Sequence, residues 1–336
     1  MDQITKAWEV MEVDLGREGF FDLFTHIRAI LRKTKAKESL LDELTADLKK
    51  MSVIDFFDRT LSQAKEAFAG IRDADYRHDE HGKAVNAHLE WLNRIEFKDW
   101  VPPAIAFWIR HHKDGAAMLR FFSDLARLAY SMVIRRESDN PRIARFGELT
   151  RTIEEGNDLF GEESRLQLTP SEQFETYAVL AGDFYLLVKS APARRTVLLR
   201  LDSLIADAAS TYDHPIISVE HVLPQNPDPG SEWLTWFTTP DERSKWTHKI
   251  GNLALLAKST NSAARNYPFA MKKEKYFKRK HVTTFSLTVQ VLAVDAWTPQ
   301  AVSKRQEHLL GVLEAHWRLG GRMSTAEQIL AALNDL

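Results

Sequence analysis

The sequence predicts a mainly helical protein in which an N-terminal helical domain, residues 1–195, precedes a mixed domain, residues 196–336. In the mixed domain, two short strands come before a helix, and further helices close the chain. Three observations support this fold class. Apolar residues recur at helical spacing through the first part. A β-branched run, residues 216–219, leads to a proline at 224, and a second apolar run follows Gly251.

The first 195 residues contain several amphipathic segments. Apolar side chains recur at helical spacing in residues 20–31, 40–48 and 54–71. An earlier apolar pattern starts at Trp8 and is interrupted by Gly16 and Gly19, and residues 32–37 form a polar break. We therefore expect separate helices with loops between them.

The centre of the helical domain is strongly apolar. Residues 105–109 and 118–134 carry few charges, which predicts that they form its core. Between them, residues 111–115 have the polar composition and terminal glycine of a helix end followed by a turn.

The mixed domain begins with the predicted strand, which carries Glu220 and His221 and ends at Pro224. Gly251 is expected to permit a tight turn into the second strand, Leu253 to Leu256. Ser259 or Thr260 then provides a suitable N-cap for a helix. The result is a strand–strand–helix unit with an acid–histidine pair on its first strand.

These residue types suit hydrolytic chemistry. A neutral imidazole such as that of His221 can take a proton from water near neutral pH. Carboxylate and amide oxygens are hard ligands that suit Mg²⁺ or Mn²⁺. His248 is a rival candidate, although a histidine before a Gly-Asn turn can equally pack or cap. If His221 is a partly exposed strand-end residue, its replacement by alanine should leave folding intact.

Composition excludes several classes of protein. The chain has no cysteine, which excludes disulfides and thiolate metal sites and fits a reducing cytoplasm. No apolar run is long enough to span a bilayer, and the N-terminus does not have the pattern of a signal peptide. Neither the nucleotide P-loop nor the dinucleotide Gly-x-Gly-x-x-Gly pattern is present.

Local charge differs from the overall charge. The formal net charge is −2, yet residues 241–281 contain 11 Lys/Arg against 3 Asp/Glu. Beside a candidate hydrolytic site, a basic segment favours contact with a polyanion such as DNA. A solvated helix face is the alternative interpretation.

An ordered set of motifs in the second domain resembles the C-terminal, HNH-like nuclease domain of GmrSD-type restriction proteins. The set is Glu220-His221-Val222-Leu223-Pro224-Gln225, then Gly251-Asn252-Leu253-Ala254-Leu255-Leu256, then Asn261, Pro268-Phe269 and Lys272-Lys273. The resemblance covers about residues 198–319, with Trp297, Arg305 and Trp317 in the closing helices. It implies the ββα-metal arrangement of the HNH nucleases.

The resemblance also implies a role for each matched residue. His221 would be the general base, Glu220 and Asn261 would hold the metal, and Asn252 would brace the loop that positions His221. The predicted catalytic set is therefore His221, Asn252 and Asn261, and the cofactor is Mg²⁺ or Mn²⁺. DNA contacts are expected from a basic group comprising Arg265, Lys272, Lys273, Lys275 and Lys278.

As a whole, the resemblance implies a divalent-metal-dependent DNA endonuclease or nickase of a bacterial anti-phage system that restricts modified or foreign DNA. The alternative is a catalytically inactive HNH-like scaffold that binds DNA or protein. The nucleotide-hydrolysing sensor domain usual in this family, with its Asp-Gly-Gln-Gln-Arg motif, is absent here. We therefore expect the chain to be the C-terminal part of a longer protein, for example a phosphorothioate-sensing one. The sequence does not determine whether the chain forms a homo-oligomer.

Overall fold

The structure is a computed structural model that describes residues 2–206, 212, 217–256, 266–274 and 285–320. The chain divides into two compact units. The helical unit comprises Met1–Val133 and Glu137–Thr169, and the second unit comprises Ile134–Arg136 and Pro170–Leu336.

The helical unit is built from helices joined by short loops. Its elements are α1 (Asp2–Arg32), α2 (Leu40–Leu48), α3 (Val53–Asp55), a π-helical segment (Phe56–Leu61), α4 (Ser62–Asp73), α5 (Gly82–Asn93), α6 (Val101–His111), most of α7 (Gly115–Arg135) and α8 (Asp139–Glu155).

Helix α6 lies at the centre of this unit, where it packs against α1, α4 and α8. Two prolines occupy its first turn, where no intrahelical N–H bond is lost. Phe107 on α6 stacks on Phe121 of α7 with ring centroids 3.9 Å apart. Gly16 has φ +71° and kinks α1, as the sequence predicts. The turn predicted at residues 111–115 is the junction of α6 and α7.

The second unit places a two-stranded sheet among short helices. Its elements are α9 (Pro170–Ala181), α10 (Phe184–Leu187), α11 (Ala191–Ile205), β1 (Ser218–His221), α12 (Glu232–Trp236), α13 (Pro240–Thr247), a 3₁₀ turn (Ile250–Asn252), β2 (Leu253–Leu256), α14 (Phe269–Lys272), α15 (Ser286–Leu292) and α16 (Pro299–Trp317).

The sheet is antiparallel, and His221 pairs with Leu253 while Ser218 pairs with Leu256. Strand β2 is buried along its whole length. It joins a core that includes the large aromatic rings of Trp233, Phe269 and Trp297. Burial of such rings contributes roughly 1.5–3 kcal/mol each, so this core fixes the end of β1 that carries His221.

Gly251 is required for a reason different from the predicted one. Its backbone is not in the left-handed region, so the turn does not need a glycine for its φ angle. Instead α16 approaches closely: a Cβ at this position would lie 2.9 Å from the Val302 carbonyl oxygen and from the Gln306 Cβ. The Gly251 N–H also donates to Gln306 Oε1 at 2.5 Å. Only glycine allows this contact.

The protein is mainly helical with a small two-stranded sheet, as predicted. The helix predicted to begin at Ser259 or Thr260 lies outside the described residues, so the third element of the ββα unit stays a prediction. The domain boundary predicted between residues 195 and 196 also stays a prediction. Within the described ranges, no helix combines the length and apolar character of a membrane span.

Candidate functional site

His221 is the last residue of β1, and only 7% of its surface is exposed. The expectation of a partly exposed side chain is therefore wrong. The Tyr185 ring meets the imidazole edge-on with centroids 4.3 Å apart, and the His248 ring lies 5.4 Å away at nearly a right angle. His221 is therefore enclosed by two other rings of the same unit.

The two ring nitrogens of His221 have different surroundings. Nδ1 lies 3.3 Å from the side-chain amide nitrogen of Gln225. Nε2 is buried and has no hydrogen-bond partner among the described residues. Burial is the main reason that the pKa of His221 falls to about 3, and His248, Lys272 and Arg194 lower it further. The imidazole is consequently neutral throughout the physiological pH range.

His248, the rival candidate, lies beside His221 at the end of α13. Its carbonyl oxygen accepts a hydrogen bond from the Tyr185 N–H at 3.1 Å. Burial lowers its pKa, and the nearby Asp183 carboxylate opposes that shift. His248 therefore belongs to the same cluster of rings, although its backbone also has a structural role.

Lys272 and Glu220 form an ion pair next to His221, in which the lysine is buried and the glutamate is partly exposed. Lys272 is fully buried, and its Nζ donates to Glu220 Oε1 at 3.1 Å, to the His221 carbonyl oxygen at 2.7 Å and to the Val222 carbonyl oxygen at 3.0 Å. Burial lowers the pKa of Lys272, while Glu220 opposes that shift. An ammonium group has three protons, and all three are used here.

This arrangement argues against the phosphate contact predicted for Lys272, because binding a phosphate would require breaking bonds inside the core. Lys273 is half-buried, and its Nζ donates to the Val294 carbonyl oxygen at 2.7 Å. The other predicted site residues, Asn261, Arg265, Lys275 and Lys278, lie outside the described residues.

Asn252 is fully buried, and all four hydrogen-bonding positions of its amide are used. Its Nδ2 donates to the carbonyl oxygens of Leu223 at 3.0 Å and Thr247 at 2.8 Å. Its Oδ1 accepts from the Leu223 N–H at 2.7 Å and from Trp297 Nε1 at 3.0 Å. Asn252 thereby ties the segment just after His221 to the turn before β2.

Arg305 of α16 supports the same turn from the other side. Its Nη1 donates to the carbonyl oxygens of Gly251 at 2.6 Å and Leu253 at 3.0 Å, and its Nη2 donates to the Leu287 carbonyl oxygen at 2.9 Å. Burial lowers its pKa to about 9, and Asp202 opposes that shift. The Asn252 turn is therefore held on both sides by buried polar groups.

Two residues that contact this cluster, Tyr185 and Arg194, are absent from the sequence-based site. Arg194 of α11 lies over the Tyr185 ring at 4.2 Å and donates to the Val188 carbonyl oxygen at 2.8 Å. Both lie upstream of residue 198, where the recognised motifs begin. No local pattern distinguishes them from ordinary helix residues, so only the tertiary structure shows that they surround His221.

Residues 181–312 match one family model, described as GmrSD restriction endonucleases, C-terminal domain. This segment is similar to that domain, and on that similarity we refer to residues 181–312 below as the GmrSD C-terminal domain. The predicted recognition is therefore confirmed for the segment, which is less than half of the chain and begins upstream of the predicted boundary. No curated protein and no solved structure matches the chain.

The GmrSD C-terminal domain offers few groups for a metal ion within the described residues. Those residues contain no cluster of three or more His, Asp or Glu side chains that could hold one. Glu220 provides a carboxylate, but one of its oxygens is paired with Lys272. This donor set suits only an ion that keeps several water ligands, as Mg²⁺ does.

The buried, neutral state of His221 predicts a pH-dependent stability of the GmrSD C-terminal domain. An unfolded histidine has a pKa near 6.5, so the unfolded chain binds more protons than the folded one as pH falls from about 6.5 towards 3. Stability should therefore be lost over that range. Between pH 7.5 and pH 5, His221 should account for about 2 kcal/mol of the loss.

Urea unfolding of the wild type and of His221→Gln at both pH values measures this contribution. The variant should lose about 2 kcal/mol less than the wild type between the two pH values. His26, whose pKa is lowered to about 4 mainly by burial, is the same in both proteins and cancels in the comparison. Equal losses in the two proteins would contradict a neutral, buried His221.

Proposed function

We propose that the GmrSD C-terminal domain of this chain is an HNH-type DNA nuclease that hydrolyses a phosphodiester bond with the help of a divalent metal ion. The family is one of restriction endonucleases, which supports nuclease activity in general. The single observation that carries the HNH-type proposal is His221, a neutral imidazole at the end of a strand beside Glu220, whose buried Nε2 has no hydrogen-bond partner among the described residues.

An unpaired buried nitrogen is costly, by roughly 1–3 kcal/mol, and such groups are uncommon away from functional sites. In the proposed reaction, Nε2 of His221 accepts a proton from the water whose oxygen bonds to phosphorus, while the P–O bond to the leaving sugar oxygen breaks and that oxygen takes a proton from solvent. The negative charge of a bound phosphate would raise the pKa of His221 from its low value. The site would therefore become more basic when DNA is bound.

Gln225 would set the tautomer that this role requires. For Nε2 to accept a proton, Nδ1 must carry one and donate it to a neighbour. A glutamine side chain can present either its nitrogen or its oxygen to Nδ1, because the two ends of an amide have nearly the same shape. With the oxygen turned towards Nδ1, Gln225 would hold His221 as the required base.

Glu220 and Asn261 would hold Mg²⁺ or Mn²⁺. When bound, the ion would supply positive charge to the phosphate oxygens and lower the cost of the charge that develops there. Lys272 would position Glu220, since it bonds both this carboxylate and the backbone of His221. Asn252 would fix the segment that follows His221.

The DNA would be held by basic residues of the second domain. Arg265, Lys275 and Lys278 belong to the basic segment 241–281 and are proposed to contact phosphates. Lys272 has no part in this proposal because of its three internal hydrogen bonds. We further propose that the enzyme restricts modified or foreign DNA in bacteria, guided by a nucleotide-hydrolysing sensor domain.

A plasmid cleavage assay tests the proposed function. We expect the purified chain to convert supercoiled plasmid to the open-circle or linear form in Mg²⁺ or Mn²⁺, and EDTA to abolish the conversion. Appearance of the open circle before linear DNA would identify nicking.

The enclosed His221 and the Lys272–Glu220 pair favour a second function, an inactive scaffold that still binds DNA. A gel-shift titration in parallel with the cleavage assay distinguishes the two. Salt-dependent binding without cleavage in any metal, including in a protein joined to its sensor domain, would support the scaffold and overturn the nuclease.

A further inference from the structure

The helical unit contains a cavity of about 430 Å³ that the proposed nuclease chemistry does not use. It lies between the end of α1, the loop that follows it, and helices α6 and α8. Its walls include Phe21, His26, Arg28, Lys33, Lys98 and Phe146. A volume of this size lies within the range of small-molecule sites, and the mixture of aromatic rings and a few charged groups is typical of them.

Arg28 is the most informative residue of the wall. Only 6% of its surface is exposed, and its guanidinium donates from Nε to the Glu43 carboxylate and from Nη1 to the Thr34 carbonyl oxygen. Its third nitrogen, Nη2, is buried and has no partner among the described residues. A buried guanidinium nitrogen without an acceptor is unfavourable, so a ligand oxygen at this position would stabilise the unit.

A second cation on the wall of the cavity, Lys98, adds to this preference for an anion. Lys98 Nζ donates to the carbonyl oxygens of Asn93 at 2.7 Å and Ile95 at 2.8 Å. Burial lowers the pKa of Lys98, and the Asp22 carboxylate, which does not line the cavity, opposes that shift.

Both carboxylates of the wall are already engaged by arginines. Glu43 is bound to Arg28 and Arg32, and Asp99 is bound to Arg142. Beyond these pairs, the two carboxylates therefore do not neutralise the positive charge at Arg28 Nη2 or at Lys98. The wall is left with cationic groups that favour a negatively charged ligand.

We propose that this cavity binds a small organic anion, with an oxyanion against Arg28 Nη2 and Lys98 and an apolar body between Phe21 and Phe146. The N–H groups of the one remaining guanidinium nitrogen, Nη2, suit an oxygen of either a phosphate or a carboxylate. The site belongs to the helical unit and is independent of the His221 chemistry. A ligand here would stabilise that unit by an amount set by its concentration and affinity.

Calorimetric titration with four probes tests the proposal: phenyl phosphate, benzoate, benzyl alcohol and inorganic phosphate. We expect at least one of the two aromatic anions to bind at least tenfold more tightly than benzyl alcohol, and more tightly than inorganic phosphate. Binding of phenyl phosphate but not of benzoate would identify a phosphate site, and binding of benzoate but not of phenyl phosphate would identify a carboxylate site. Anions that bind no better than benzyl alcohol would overturn the proposal.

Three variants locate the binding. Arg28→Lys keeps a cation opposite Glu43 but removes Nη2, and Lys98→Met keeps the length of the side chain but removes its charge. Each should weaken binding of the aromatic anion at least tenfold, whereas Lys113→Met, an exposed lysine outside the cavity, should leave it unchanged. Melting without ligand confirms that each variant folds. If all three variants bind the aromatic anion with equal affinity, the ligand lies elsewhere and the assignment is overturned.

Discussion

Replacing Asn252 by alanine should destabilise the GmrSD C-terminal domain by roughly 3–5 kcal/mol, because it leaves several buried polar groups without a partner. The Leu223 N–H and carbonyl oxygen, the Thr247 carbonyl oxygen and the Trp297 indole N–H all lose a hydrogen bond at once. None can turn to solvent, since the site is fully enclosed. The measurement is urea unfolding followed by near-ultraviolet circular dichroism, which reports on the packed tryptophans.

Asn266→Ala is the matched control. The Asn266 side chain makes an exposed hydrogen bond to Asp228 at 3.0 Å, so its loss should change stability by less than about 0.5 kcal/mol. If both variants unfold at the wild-type urea concentration, Asn252 does not brace the turn. If Asn252→Ala alone unfolds early, its effect on cleavage must be interpreted as structural and not as loss of a catalytic group.

The sequence predicts the helices well where local chemistry decides them. Gly16 kinks α1, a turn separates α6 from α7 at residues 111–115, and the two short strands form where the β-branched and apolar runs lie. Such features depend on the conformational range of one residue or on the pattern of a few neighbours.

Lys272 shows where this reasoning fails. A Lys-Lys pair in a basic segment indicates a solvated or DNA-binding face, yet Lys272 is buried under β1. One signal was available: Lys272 follows the buried Phe269 by three residues, a spacing that places both on the same side of a helix. The charge of Lys272 predicts an exposed side chain, whereas its helical spacing from Phe269 predicts a buried one. The side chain is buried, as the spacing predicts, and its ammonium group donates to one carboxylate and two carbonyl oxygens.

Tyr185 and Arg194 could not have been assigned to the site from the sequence at all. The Tyr185 ring contacts His221, and Arg194 lies over the Tyr185 ring, only because α10 and α11 fold back on the sheet. No motif encodes these contacts. The enclosure of His221 has the same origin. Long-range packing therefore determines the pKa of the candidate base, whereas the local sequence determines only its identity.

Replacing His221 by glutamine should reduce plasmid cleavage by roughly 10²–10⁴-fold, the usual contribution of a general base. Glutamine is preferred to alanine because His221 is buried, so that alanine would leave a void beside Tyr185 and His248 and would lower stability as well. The reason for the loss is chemical: no group of comparable basicity replaces Nε2. First-order rates of supercoiled-plasmid loss, measured with enzyme in excess, give the effect directly.

His248→Gln is the comparison that makes this prediction specific. His248 packs against the same Tyr185 ring and also has a buried nitrogen without a described partner, so the two variants disturb the cluster similarly. We expect its cleavage rate to fall less than about tenfold, because its loss alters the surroundings of the base and not the base itself. A large loss in His248→Gln with near-normal cleavage in His221→Gln would transfer the role of base to His248. Equal, small losses in both would remove the imidazoles from the chemistry and overturn the assignment of His221 as the general base.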